Sequence, residues 1–170
     1  MHDADLGFVG GLLIVNRNAR PLEFHCTAPI QPKPAQSVLY GATLNRYLLE
    51  EQIPQALVAK TKARLDLILT NQLGMLNFRD HCDIPVGVLA GDEWGGNQSE
   101  SDSSSGVVIG EIEFSQVAGK TVAHRSQFQQ DRERIEQAVQ DVALCVEVDE
   151  PFERLSIAIQ ETCKSLSNAA

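Results

Sequence analysis

Two apolar runs, "RLDLILT" at 64–70 and "IPVGVLAG" at 84–91, are separated by residues 71–83, with a helix-start signal at Thr70 or Asn71. A short run that is apolar on both faces reads as a strand buried on both sides. Thr70 or Asn71 can cap a short helix through about Asp80. Strand, helix and strand in so little chain form a βαβ unit, because parallel neighbours need a crossover where antiparallel ones need only a turn. The crossover is expected to be right-handed, and helices must cover the faces of its sheet, so the fold class is α/β.

The rest of the chain can be fitted around that unit. "GFVGGLLIVN" (7–16) reads as a strand, and "RPLEFHCT" (20–27) alternates, with Leu22, Phe24 and Cys26 on one face and Glu23, His25 and Thr27 on the other. Joined through "NRNAR", the two predict a β-hairpin, with Gly10 and Gly11 marking a bulge or a close backbone approach. The three prolines of "APIQPKPAQ" (28–36) predict an extended surface segment. Residues 43–62 read as a helix capped by Thr43, with Leu44, Tyr47 and Leu48 inward and a kink or restart at Pro54. "VVIGEIEF" (107–114) reads as a fifth strand. Phe128, Ile135, Val139, Val142 and Val146 form a helical stripe, so helix is preferred to strand over 141–148. A last helix starts near Pro151 and buries Phe152, Leu155, Ile159 and Leu166. The expected molecule is a single α/β domain over 1–170. It has a mixed sheet of about five strands beginning with the hairpin, one parallel βαβ crossover and C-terminal helices packed on the sheet. Residues 91–106, "GDEWGGNQSESDSSSG", read as a mobile acidic loop that carries Trp94.

Charge narrows the function classes. Asp and Glu number 23 against 14 Lys and Arg, for a net charge of −9. Phosphate backbones and anionic membrane surfaces select cationic proteins, so neither nucleic acid nor membrane is an expected partner. No stretch approaches the roughly 20 apolar residues that cross a bilayer. The N-terminus opens on acid and lacks a small-residue cleavage site, unlike a secretory signal. The four cysteines, Cys26, Cys82, Cys145 and Cys163, stand far apart, which suits reduced thiols and a cytoplasmic location.

Two His-Cys pairs are the chemical candidates: His25–Cys26 and His81–Cys82. On a strand, neighbours face apart, so Cys26 is expected inward as a small hydrophobe while His25 looks outward beside Glu23, which can orient it and make it more basic. His81 closes the short helix, where a protonated imidazole suits the helix dipole. The catalytic candidates are therefore His25, Glu23, His81 and Cys82. Structural metal sites draw ligands in close pairs from one turn, and His25 and Cys26 diverge, so no metal is expected. "VAGKT" (117–121) ends like a phosphate loop, but Phe114 stands where that loop needs its first glycine; the expected role is a connecting loop, with no nucleotide or other cofactor. The acids of "RDHCD" and "DEPFER" are too scattered to define a catalytic pair.

The stretches "GGLLIVNRNARPLEFHCTAP", "LYGATL" and "EPFERL" resemble segments of an uncharacterised bacterial protein family, over most of the chain. That resemblance implies a cytoplasmic bacterial protein and attaches no activity to it. The residues themselves fit a non-enzymatic soluble module that binds a protein partner or a small ligand, as a homodimer or with another protein. The alternative is a thiol- or histidine-dependent hydrolase or transferase using His25 and Cys82.

Overall fold

A computed structural model describes residues 2–3, 7–90 and 111–167. The expected acidic loop at 91–106 and the first part of the strand expected at 107–114 lie outside the described residues. The fold is α/β, with a two-stranded hairpin sheet, a mixed four-stranded sheet containing one parallel pair, and C-terminal helices. Two compact units divide it: residues 1–64 with 145–170, and residues 65–144.

In the first unit, β1 (His2–Asp3) pairs antiparallel with β2 (Gly7–Phe8), and β3 (Gly11–Val15) pairs antiparallel with β4 (Pro21–Cys26). The Asn16 side chain builds the hairpin loop, accepting the backbone N–H groups of Asn18 and Arg20 at 3.0 and 3.1 Å. Helices cover both faces of this ribbon. A Cβ on Gly10 would strike Ile53 of α3 (Ile53–Val58), and one on Gly11 would strike Ile159 of α5 (Glu150–Ser167). The paired glycines thus mark the close approach that the sequence suggested. On the α3 side, Phe8, Leu44, Leu48, Ile53 and Leu57 form one apolar cluster, with Leu12 and Ile30 against it.

Two local features depart from expectation. The proline-rich segment turns helical at its end: α1 (Pro34–Tyr40) has Pro34 in its first turn, and the Lys33 N–H donates to the Gln36 side chain at 2.9 Å. Beyond it the winding changes repeatedly, from a 3-10 turn (Gly41–Thr43) through α2 (Leu44–Arg46) to a π-helical stretch (Tyr47–Gln52) that leads into α3. Thr43 does not cap; its hydroxyl donates to the Tyr40 carbonyl at 2.7 Å. The restart expected at Pro54 occurs: α3 begins at Ile53 with Pro54 in its first turn. The turn ahead of it is widened, and the Ile53 N–H reaches back five residues to the Leu48 carbonyl. Proline supplies no N–H, so a wider turn accommodates the gap in the ladder.

In the second unit the sheet order is β5 (Ile68–Thr70), β6 (Val86–Ala90), β8 (Lys120–Arg125), β7 (Ile112–Val117). β5 and β6 are parallel, and the other pairs are antiparallel. The crossover is a 3-10 helix, Leu73–His81, preceded by a Thr70 hydroxyl that accepts the Gln72 N–H at 3.2 Å. β8 is a strand that the sequence does not announce. "VAGKT" is the tight turn between it and β7, with Ala118 and Gly119 at φ 50° and 77°, the two successive left-handed residues of a hairpin turn whose twist suits its strands. The α4 helix (Gln129–Ala143) packs on the Gly87 face through Ile135, and Val122 and Ala123 are both fully buried, so both faces of β8 are covered. Residues 141–143 are helical and none of 141–148 is strand, but the helix ends at Ala143, short of Val146.

Candidate functional site

Glu23 and His25 project from one face of β4, opposite Ile14 and Leu12 of β3. His25 Nε2 lies 2.8 Å from Glu23 Oε2, and the same carboxylate accepts the backbone N–H groups of Lys62 at 3.1 Å and Ala63 at 2.7 Å. The chain leaving α3 is thereby fastened to the hairpin. The bond to His25, then the bond from the Lys62 amide, hold the Glu23 carboxyl below its ordinary range. With Nε2–H donated to Glu23, the neutral imidazole carries its lone pair on Nδ1. Histidine and orienting carboxylate meet as the sequence suggests.

Burial on β4 inverts the expected pattern. Leu22 and Phe24, expected inside, are 57% and 40% exposed, whereas Glu23 and His25 side chains are 21% and 24% exposed. The cause is that β4 is the edge of a two-stranded ribbon. α5 lies against β3, leaving Leu22 and Phe24 outside its cover, while the Lys62–Ala63 backbone closes over Glu23. Cys26 does share the α5 face and is partly buried, and its thiol is pushed up by that burial and by Cys163 nearby.

The second pair belongs to the other unit. His81 ends the 3-10 crossover and is exposed; Cys82 follows it in extended conformation. The Cys82 thiol donates to the Ile84 carbonyl at 3.6 Å, and burial raises its pKa. Burial outweighs the opposing effects of the Ile84 backbone and Arg79, and it favours the thiol. The exposed cysteine is Cys145 rather than Cys82. Among the described residues there is no group of three or more His, Cys, Asp or Glu positioned to hold a metal ion.

The scattered acids and bases of "RDHCD" join a polar network around two buried arginines that the sequence does not announce. Arg79 Nε donates to Asp131 Oδ2 at 2.6 Å, Arg79 Nη1 donates to the Cys82 carbonyl at 2.6 Å, and the guanidinium stacks 4.1 Å over the Phe128 ring. Arg125 reaches Asn77 at 2.9 Å, Glu111 at 3.1 Å and Asp80 at 3.4 Å. These bonds fasten the crossover to α4 and to the β7–β8 hairpin. The Arg79–Asp131 and Arg125–Asn77 partners are about fifty residues apart in sequence, so no local pattern could have signalled them. On the α4 side of the sheet, the buried His124 Nε2 has no hydrogen-bond partner among the described residues, and Ser115 stands within reach of Glu136.

No protein-family model matches the chain, and no curated protein or solved structure gives a significant match to it. Among the described residues, no helix is long and apolar enough to cross a membrane.

Proposed function

We propose that the chain is a non-catalytic α/β module that binds a protein partner in the cytoplasm. The observation carrying this reading is α1. None of its residues is buried, and Val38 and Leu39 are 83% and 82% exposed. Adjacent large apolar side chains held out on a short helix suit a contact surface. The helix is preset by Pro34 and Gln36, and its end is anchored by Tyr40 stacked on Tyr47 with ring centroids 4.6 Å apart. The test compares the intact chain with V38K/L39K as baits in native extract. A protein held by the parent chain and lost by a variant of unchanged thermal stability supports the reading; equal retention by both, or none by either, sinks it.

The His25–Glu23 contact favours a second reading, an acid–base hydrolase or transferase in which His25 is the base and Glu23 orients it. The thiol half of that idea is weaker, because Cys82 has a raised pKa where a nucleophile needs a lowered one. Turnover of an activated ester, lost in His25→Ala, would favour it over the binding module.

A further inference from the structure

The outer edge of β4 carries the furthest-reaching inference. The Thr27 N–H donates to the Gly10 carbonyl at 2.9 Å, which makes Gly10–Thr27, Leu12–His25 and Ile14–Glu23 the hydrogen-bonded rungs of the ribbon. The backbone N–H and C=O groups of Phe24 and Cys26 therefore point away from β3. Among the described residues, no backbone hydrogen bond ends on that edge. A register shift between Ile14 and Val15 places Leu22 at a bulge, with Pro21 beyond it opposite Val15. Beside this open edge stand the exposed side chains of Leu22 and Phe24.

An open edge of this length recruits an extended strand. The sequence of β4, "PLEFHC", selects a copy of itself. We propose that two copies of this chain pair antiparallel through β4 about a two-fold axis at Phe24, joining the two hairpins into one continuous sheet. This pairing uses a surface other than α1 and goes beyond the reading proposed above. In this register Phe24 meets the partner's Phe24, and Leu22 meets the partner's Cys26. The outward N–H and C=O groups of Phe24 are then paired with those of the partner's Phe24. On the other face Glu23 stands opposite the partner's His25, and His25 opposite the partner's Glu23. These fall at the non-hydrogen-bonded rungs, where side chains across the ladder come closest. Both the apolar and the charged pairs match only because the strand is complementary to itself about Phe24. A two-residue slip would set Glu23 against the partner's Glu23, or His25 against the partner's His25, on the non-hydrogen-bonded rungs, where side chains come closest.

The test uses the full chain. Sedimentation equilibrium is expected to give a dimer that Phe24→Lys weakens at least tenfold while circular dichroism stays unchanged. Independently of any disruptive variant, Leu22→Cys in a Cys145→Ser background is expected to form a disulfide-linked dimer under mild oxidation. The Cα separation at such a rung, about 5.5 Å, suits a disulfide. Adding Cys26→Ser should abolish it, and peptide mapping should find the thiol introduced by Leu22→Cys joined to the partner's Cys26. A chain that stays monomeric at high concentration overturns the proposal, as does a dimer indifferent to Phe24→Lys that forms no such crosslink. Capture of an extended peptide from another protein on β4 by a monomeric chain also overturns it, while leaving the binding-module reading in place. Conversely, ester turnover by a β4-paired dimer would remove that reading and leave the pairing intact.

Discussion

Replacing Asp131 by Ala isolates the energetics of the second unit. The Arg79–Asp131 pair is almost dry, with side chains 9% and 3% exposed. Removing the carboxylate strands a guanidinium whose remaining support is one carbonyl, that of Cys82, and the face of Phe128. Breaking a buried pair by deleting one partner costs about 3–5 kcal/mol, because the surviving charge stays desolvated. That is a large share of the roughly 5–15 kcal/mol that hold a domain together. Urea unfolding followed by circular dichroism should show the loss. At about 2–4 °C per kcal/mol for a chain of this size, the thermal midpoint should fall by about 6–20 °C. The paired variant R79M/D131L, which removes both charges and keeps apolar bulk, should recover most of the loss, to within about 1–2 kcal/mol of the parent. A loss below about 1 kcal/mol for D131A would mean that water reaches Arg79. A double variant no better than D131A would mean that the hydrogen-bond geometry, rather than charge desolvation, dominates. Either result would refute the reasoning.

Other expectations follow from the ribbon and its thiols. Gly11→Ala puts a methyl group into Ile159 and should destabilise by about 1–3 kcal/mol in thermal unfolding, the usual range for overpacking. Glu23→Gln should lower stability at neutral pH. A carboxyl whose folded pKa is depressed contributes above its unfolded value of about 4.3, and that contribution fades as pH falls through the lower folded value, so parent and variant should converge in acid. Urea titrations from about pH 7 to about pH 3 would measure that convergence, and parallel curves across the range would count against it. Alkylation followed by mass spectrometry should find Cys145 modified first in the native protein, with Cys26 and Cys82 slower because burial raises their pKa. Fast labelling of Cys82 at neutral pH would revive the thiol-enzyme reading.

Periodicity and connection length carry the parts of the fold that the sequence makes legible. The Asn16 loop, the parallel pair around the crossover and the close approach at Gly10–Gly11 all rest on signals within a few residues. The misses share a different origin. Alternation in "RPLEFHCT" correctly separates Cys26 from His25. It could not show that Leu22 and Phe24 would lie beyond the cover of α5, because that depends on a helix more than a hundred residues downstream. β8 was hidden because "KTVAHR" begins with a loop-like lysine and takes its burial from neighbours on both sides. The site was partly legible: Glu23 and His25 are two residues apart on a strand, so their meeting follows from the pleat. The two amides that also bind Glu23 arrive from the far end of α3, and no local rule places them there.

The adjacent glycines of the first unit have a mechanical consequence. Because Gly10 admits Ile53 from one side and Gly11 admits Ile159 from the other, little more than main chain separates α3 from α5 there. Most sheets keep a layer of side chains on each surface, whose rotamers can absorb the drift of an overlying helix. Here that cushion is missing at one rung, so displacing either helix must move the strand and carry the other helix with it.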